Sequence, residues 1–429
     1  MILKMTYTKT EHSWMFYDWA ESAFSIIVTT AIFPIYYSSA AELSGVSNGN
    51  STAYLGYTIS IFTLIIAVLS PLLGTMADVK GFKKKFFFTF FALGVLGTLS
   101  LAIIPDTSWL VLLIGYAIAS IGMAGSNVFY DGFLVDITKP ERMNRVSSRG
   151  FSLGYIGSSI PFLISIGVIL LSQNGVLPFS TISATRFAFV LTALWWTIFS
   201  LPMLKNVHQI HGIERQPKLI KHSFKRLFST FRQLKQYRAA FLFLIAYMFY
   251  IDGVGTIISM STAYGTDLGL QATDLLIVLF VVQIVAAPFA ILYGRLADRF
   301  PGKTMIYVAI IVYIGVCTYA FFMSTLVDFW ILAMLIATSQ GGIQALSRAY
   351  FGRIIPSHKA NEFFGLYDIF GRFASIIGPT MVATITQLTG RSNYGVFSLI
   401  LLFIVGFFVL TKVPEEGTTT VVEELSSTI

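Results

Sequence analysis

Cysteine and charge are the two things this chain has least of. A single cysteine, Cys317, excludes an intramolecular disulfide and a cysteine-built metal site. Asp, Glu, Lys and Arg make up only 12% of the sequence, against about 25% in an ordinary soluble domain. The five histidines (His12, His208, His211, His222 and His358) all fall at one edge of the apolar runs and form no metal-ligand cluster. With no nucleophile triad and no nucleotide-binding glycine loop, nothing supports an enzyme, a cofactor or a bound metal. The first apolar run is too long for a cleavable leader and lacks a small-residue cleavage pattern, so it reads as an integral helix.

What is abundant is apolar sequence: 55% hydrophobic and 15% aromatic. A bilayer core needs roughly 20 apolar helical residues to cross it, and twelve such runs occur. The predicted spans are 14–39, 54–77, 86–104, 109–135, 150–172 and 186–204, then 239–262, 272–296, 304–324, 329–350, 363–387 and 393–411. Counting Arg348 with the connections, 26 of the 29 lysines and arginines fall on one side, leaving Arg186 and Arg391 on the other and Arg372 inside a span. The positive-inside rule then makes both termini cytoplasmic and the protein a multi-pass component of a cell membrane. The net charge of +8 is topology, and no nucleic-acid partner is expected.

The chain repeats itself. GTMADVKGFKKK (74–85) returns as GRLADRFPGK (294–303), which sets Asp78 and Asp298 220 residues apart, and Asn144 corresponds to Asn361 at an offset of 217. The expected organisation is a six-helix half over 1–204, a linker over 205–238, a second half over 239–412 and a disordered tail over 413–429. Six is even, so the two halves share one orientation. The linker places Ile220, Phe224, Leu227, Phe231 and Leu234 on one face opposite a basic one, a pattern suited to a membrane surface or to a plain linker helix.

The GxxxDxxGxKK pattern resembles the signature of the major facilitator superfamily. The resemblance implies an all-α integral membrane fold of twelve helices in two parallel six-helix repeats, with a cytoplasmic gate on Gly74, Asp78, Gly81 and Lys83 and on Gly294, Asp298 and Gly302. Physically, Asp78 can receive the free N–H groups at the start of a neighbouring helix, and the glycines permit close approach and a tight turn. This copy carries Phe82 where a base is common, and one extra residue between Asp298 and Gly302. YDWAESAF, FPIYY, VFYDGFLVDI and VSSRGFSLGYIGSS look like the vacuole-effluxer branch, whose named members are fungal autophagy-related exporters of amino acids. Glu21 and Asp131 each add a carboxylate where that branch usually has Asn.

In that fold the first, fourth, seventh and tenth helices line the path, and those spans carry polar stripes. Asp18 and Glu21 share a face, as do Ser120, Asn127 and Asp131; Asp252, Thr256 and Ser259; and Gln340, Gln344 and Ser347. Supporting spans add Arg149, Gln283, and Asp368 with Arg372 at i, i+4. Helical rise places Arg372 near the midplane as the substrate-facing charge, and Asp18, Glu21 and Asp131 with Arg149 near the cytoplasmic end as a gate and proton or cation relay. The blander alternatives are an internal Asp368–Arg372 ion pair and an Asp18 that merely caps backbone groups. Uncompensated carboxylates in low dielectric take up protons or hold a cation. Pro34, Pro71, Pro161, Pro288 and Pro379 are hinge or kink positions.

These readings add up to a monomeric secondary transporter of a small polar solute, with amino acids the best single guess, coupled to protons or a cation. The alternatives are a proton-driven exporter of cationic or amphiphilic compounds and a non-transporting receptor or scaffold.

Overall fold

The computed structural model describes residues 6–214, 229, 237–267 and 272–414. Among these, twelve helices are long and apolar enough to cross a membrane: α1 (Lys9–Leu43), α2 (Tyr54–Ala77), α3 (Lys83–Ile103), α4 (Trp109–Ile137), α5 (Pro140–Gln173) and α6 (Thr181–Asn206), then α7 (Arg238–Ser261), α8 (Ile277–Leu296), α9 (Gly302–Phe322), α10 (Leu326–Ile354), α11 (Ser357–Thr389) and α12 (Ser392–Thr411). The expected all-helical architecture is therefore present. The expected linker helix over Ile220–Leu234 and the tail beyond residue 414 lie outside the described residues.

Local chemistry explains several boundaries. Thr8 starts α1 with a capping box: its side chain accepts from the Glu11 N–H at 3.1 Å while Glu11 accepts from the Thr8 N–H at 2.8 Å. Thr325 and Asp328 build the same device at the start of α10. Within α1, Ser25–Ala31 winds as a π-helix, the wider turn that often marks a functional stretch. Gly81 turns the chain between α2 and α3 at φ +83, as a left-handed turn position favours.

Several helices run past the apolar windows. α5 starts at Pro140 rather than 150, and α11 at Ser357 rather than 363. Hydropathy trims these polar first turns, yet they stay helical because protein surrounds them: Asn144, Ser147 and Asn361 are all buried. The outer surface is inverted relative to a soluble protein, with Val68, Leu96, Ile103 and Leu388 each more than 60% exposed, as lipid-facing side chains are.

Helices α1–α6 and α7–α12 form two bundles. Within the first, α3 packs on α4 and α1 on α5 and α6; within the second, α7 packs on α11 and α12, and α8 and α9 on α10. The bundles meet through α2 with α11, α5 with α8 and α10, and α4 with α11. Small residues set the closest approaches. A Cβ on Gly122 of α4 would lie 2.3 Å from the Gly94 Cα of α3, and one on Gly74 of α2 would lie 2.3 Å from the Asn361 carbonyl oxygen of α11. Replacing Gly122 by valine overpacks the α3–α4 crossing and is expected to destabilise the fold by roughly 1–3 kcal/mol. A lower melting temperature of the purified protein in detergent reads this out, and an unchanged one would count against a tight crossing.

Candidate functional site

The site begins with a stripe on α10. Gln340, Gln344 and Arg348 follow one another at steps of four residues, so helical geometry puts all three on one face. Arg348 is 4% exposed and reaches from the second bundle into the first. One terminal nitrogen, Nη1, donates to Asp131 Oδ1 at 3.0 Å on α4, and the other, Nη2, donates to Asp18 Oδ2 at 3.1 Å on α1. Its Nε donates to Ser147 Oγ at 2.9 Å on α5. The guanidinium also lies against three ring faces: Phe151 at 4.4 Å, Trp14 at 4.7 Å and Tyr130 at 5.4 Å from the ring centroids. A buried guanidinium is tolerable only when its donors are satisfied in this way.

Arg348 and Asp131 also line a cavity of about 290 Å³ between the bundles. Phe151, Tyr247, Asp252, Gln344 and Tyr367 form much of the remaining wall. Tyr247 and Tyr367 stack there, 4.1 Å between centroids. Asp252 is 1% exposed; its Oδ2 accepts from the Gly378 N–H at 2.8 Å and its Oδ1 from Thr256 Oγ1 at 3.3 Å, with no ion pair among the described residues.

The sequence-derived set is thus brought together in part. Asp18, Asp131, Asp252 and Gln344 belong to the bridge or the cavity. Glu21, 8% exposed, is held only by long hydrogen bonds from Ser22 Oγ at 3.3 Å and Asn127 Nδ2 at 3.4 Å, and among the described residues no basic side chain reaches it. Gln340 is buried on α10, and Gln283 on α8 has a buried side-chain oxygen with no partner among the described residues.

Two assignments change. Arg149 was expected to accompany the shallow acids, but it stays half-buried on α5 and makes no ion pair with them. Arg372 was expected to be the substrate-facing charge. Its Nε instead donates to Asp368 Oδ2 at 2.8 Å, one helical turn back, and the same oxygen accepts from Ser70 Oγ of α2. The cation of the cavity is Arg348, which the charge count had assigned to a loop. Its spacing from Gln340 and Gln344 was the signal that could have found it.

Both copies of the repeated motif fasten the same end of the molecule, the end where the basic connections lie. Asp78 Oδ1 accepts from the Asn361 N–H and Nδ2, each at 2.9 Å, and Oδ2 accepts from the Glu362 N–H at 3.2 Å, so α2 caps the start of α11. In the second copy Arg145 donates to Asp298, and Asn144 Nδ2 donates to the Ala297 carbonyl. Gly294 lets α8 approach Ser148 of α5, and Gly302 lies beside Arg353 and Asn144. Lys83 is fully buried, donating to Asp136 Oδ2 at 2.6 Å and to the Gly132 carbonyl. Residues 207–214 fold back over this corner: Asp136 Oδ1 accepts from the Ile210 and His211 N–H groups, and Ile213 bridges to Val79.

A family model described as "Vacuole effluxer Atg22 like" matches residues 6–141 and 134–420. An MFS-type transporter of Bacillus subtilis strain 168, YxiO, is 60% identical over 418 residues, covering 97% of this chain and 98% of its own. Autophagy-related protein 22 of Saccharomyces cerevisiae strain S288c is 24% identical over 436 residues, covering 89% and 81%. Among solved structures, the major facilitator transporter FucP in the outward conformation superposes with a TM-score of 0.70 at 14% identity, covering 95% of this chain and 98% of its own. The human organic anion transporter MFSD10 gives a TM-score of 0.69 at 15% identity, covering 94% and 98%.

If the Asp78 cap holds the two bundles together, Asp78→Ala should open that end. Ser148, 1% exposed at the α5–α8 seam, is a near-isosteric site for a reporter cysteine in a Cys317→Ser background. Labelling of that cysteine by a polar maleimide is expected to speed up severalfold in the Asp78→Ala protein. An unchanged rate would mean the cap does not hold the seam.

Proposed function

The chain belongs to the Atg22-like vacuole-effluxer family of major facilitator transporters, and from that premise we propose that it moves amino acids by proton-coupled alternating access. A small-molecule transporter embedded in the bilayer, and not an enzyme, is what that membership means; substrate, coupling and orientation are the proposal. The observation that carries it is the arginine bridge beside the cavity. Arg348 joins the second bundle to Asp18 and Asp131 of the first, so weakening those pairs removes one of the charged ties between the bundles.

In this reading 1–204 and 239–412 rock as two bodies about the linker 205–238, in a monomer with both termini in the cytoplasm of a cell membrane. The Asp78 cap and the Arg145–Asp298 pair then form the cytoplasmic gate, and the described state is closed to the cytoplasm. Glu21, without a basic partner among the described residues, carries the coupling proton and passes it toward Asp18 and Asp131. An amino acid needs a fixed cation for its carboxylate and a fixed anion for its ammonium, and Arg348 with Asp252 on the same cavity wall supplies both. A cavity of about 290 Å³ sits at the small end of ligand pockets, which suits a solute of that size. Export of organic cations is the second reading, favoured by the surplus of acids here: Asp18, Glu21 and Asp252 are buried and Asp131 is partly buried, against the one guanidinium of Arg348.

The test uses purified protein in liposomes loaded with a pH dye, to which amino acids, organic cations and sugars are added one class at a time. Amino acids are expected to change the internal pH with the parent and to lose that effect with Glu21→Gln. Labelled amino acid crossing with no pH change would remove the coupling, and no crossing of any class would remove the transporter reading.

A further inference from the structure

Six side chains of the first bundle build a receptor for a guanidinium group, and the second bundle fills it with one of its own. Asp18 and Asp131 meet the two terminal nitrogens, Ser147 meets Nε, and Trp14, Tyr130 and Phe151 face the cation with their rings. Every recognition element a free guanidinium or ammonium needs is present, and none comes from the bundle that donates Arg348. Asp131 and Phe151 also line the cavity, so the box is continuous with the space a solute would enter.

We propose that this box is a substrate subsite: when the bundles separate it receives the cationic group, a guanidinium or a primary ammonium, of the transported solute, and Arg348 is its internal occupant while they are closed. The proposal rests on the transporter reading above and adds the chemical class that the first bundle recognises. Separation withdraws α10 from α1, α4 and α5 and would leave two carboxylates among aromatic rings with no cation. A cationic group arriving from solution replaces one cation by another and keeps the balance, whereas an anionic group would meet two carboxylates. Arg348 and solute therefore compete, and the internal ligand, tethered at high effective concentration, lowers the apparent affinity of the closed protein. The competition gives the solute a direct means of favouring the open arrangement, since it binds only where Arg348 has left.

The experiment measures binding of agmatine, and of butylurea as an uncharged control with a ureido group in place of the guanidinium and no ammonium, to the purified full-length protein in nanodiscs. Removing the internal occupant by Arg348→Ala is expected to tighten agmatine binding by about tenfold or more, as vacating a blocked site should. Butylurea should gain nothing, and adding Asp18→Asn or Asp131→Asn should abolish the gain. No gain, or an equal gain for butylurea, overturns the proposal. Should Arg348→Ala fail to fold, exchange of labelled agmatine across liposomes carrying the parent decides: exchange that unlabelled agmatine drives and butylurea does not supports the box, and its absence sinks it. Neutral amino acids crossing while agmatine neither binds nor exchanges would overturn the box and leave the transporter reading intact. Agmatine binding to Arg348→Ala with no solute crossing in the parent would do the reverse.

Discussion

A guanidinium enclosed by protein at the meeting point of four helices constrains everything around it. Arg348 has to be paired because an isolated charge in that environment is prohibitively costly, and its partners cannot all come from its own bundle. Asp18, Asp131 and Ser147 come from α1, α4 and α5, so satisfying one side chain fixes how two six-helix bodies sit against each other. The aromatic residues follow from the same demand: Trp14, Tyr130 and Phe151 exclude water while offering the cation their ring faces. Breaking such a pair by removing one partner typically costs about 3–5 kcal/mol, so the contact weighs heavily in how the two bodies are held together.

The repeated motif supports this centre from the basic end, and its two copies do it with different chemistry. Asp78 accepts backbone N–H groups at the start of α11, so the first copy binds a helix end directly. The second copy has one more residue before its glycine, and Asp298 there pairs with the Arg145 side chain while Asn144 reaches the neighbouring carbonyl. The two copies, related by sequence, thus join the bundles by different contacts: a capped helix end in one and a side-chain ion pair in the other.

Among the described residues, the carboxylates on the inward-facing stripes and beside the cavity divide into two environments. Asp18, Asp131 and Asp368 each face an arginine, whereas Glu21 and Asp252 are held by amide, hydroxyl or backbone donors alone among the described residues. The first group is held by ion pairs, and the second carries none among the described residues.

Periodicity and charge bias, which are local and additive, determined the twelve helices, their pairing into a repeat and the polar stripes of α1, α4, α7 and α10. A lipid environment makes that possible, since it allows little besides long apolar helices. The cap that Asp78 makes was also readable, because helix starts need acceptors wherever they occur. Which cation serves the centre was not. Arg348 and Arg372 look alike in sequence, one near a span's end and one inside a span, and hydropathy favours the second. Only the packing of α10 against α1, α4 and α5 buries the first, while an aspartate one turn away on its own helix occupies the second. Burial and pairing depend on contacts hundreds of residues apart in the chain, and no local pattern carries that information.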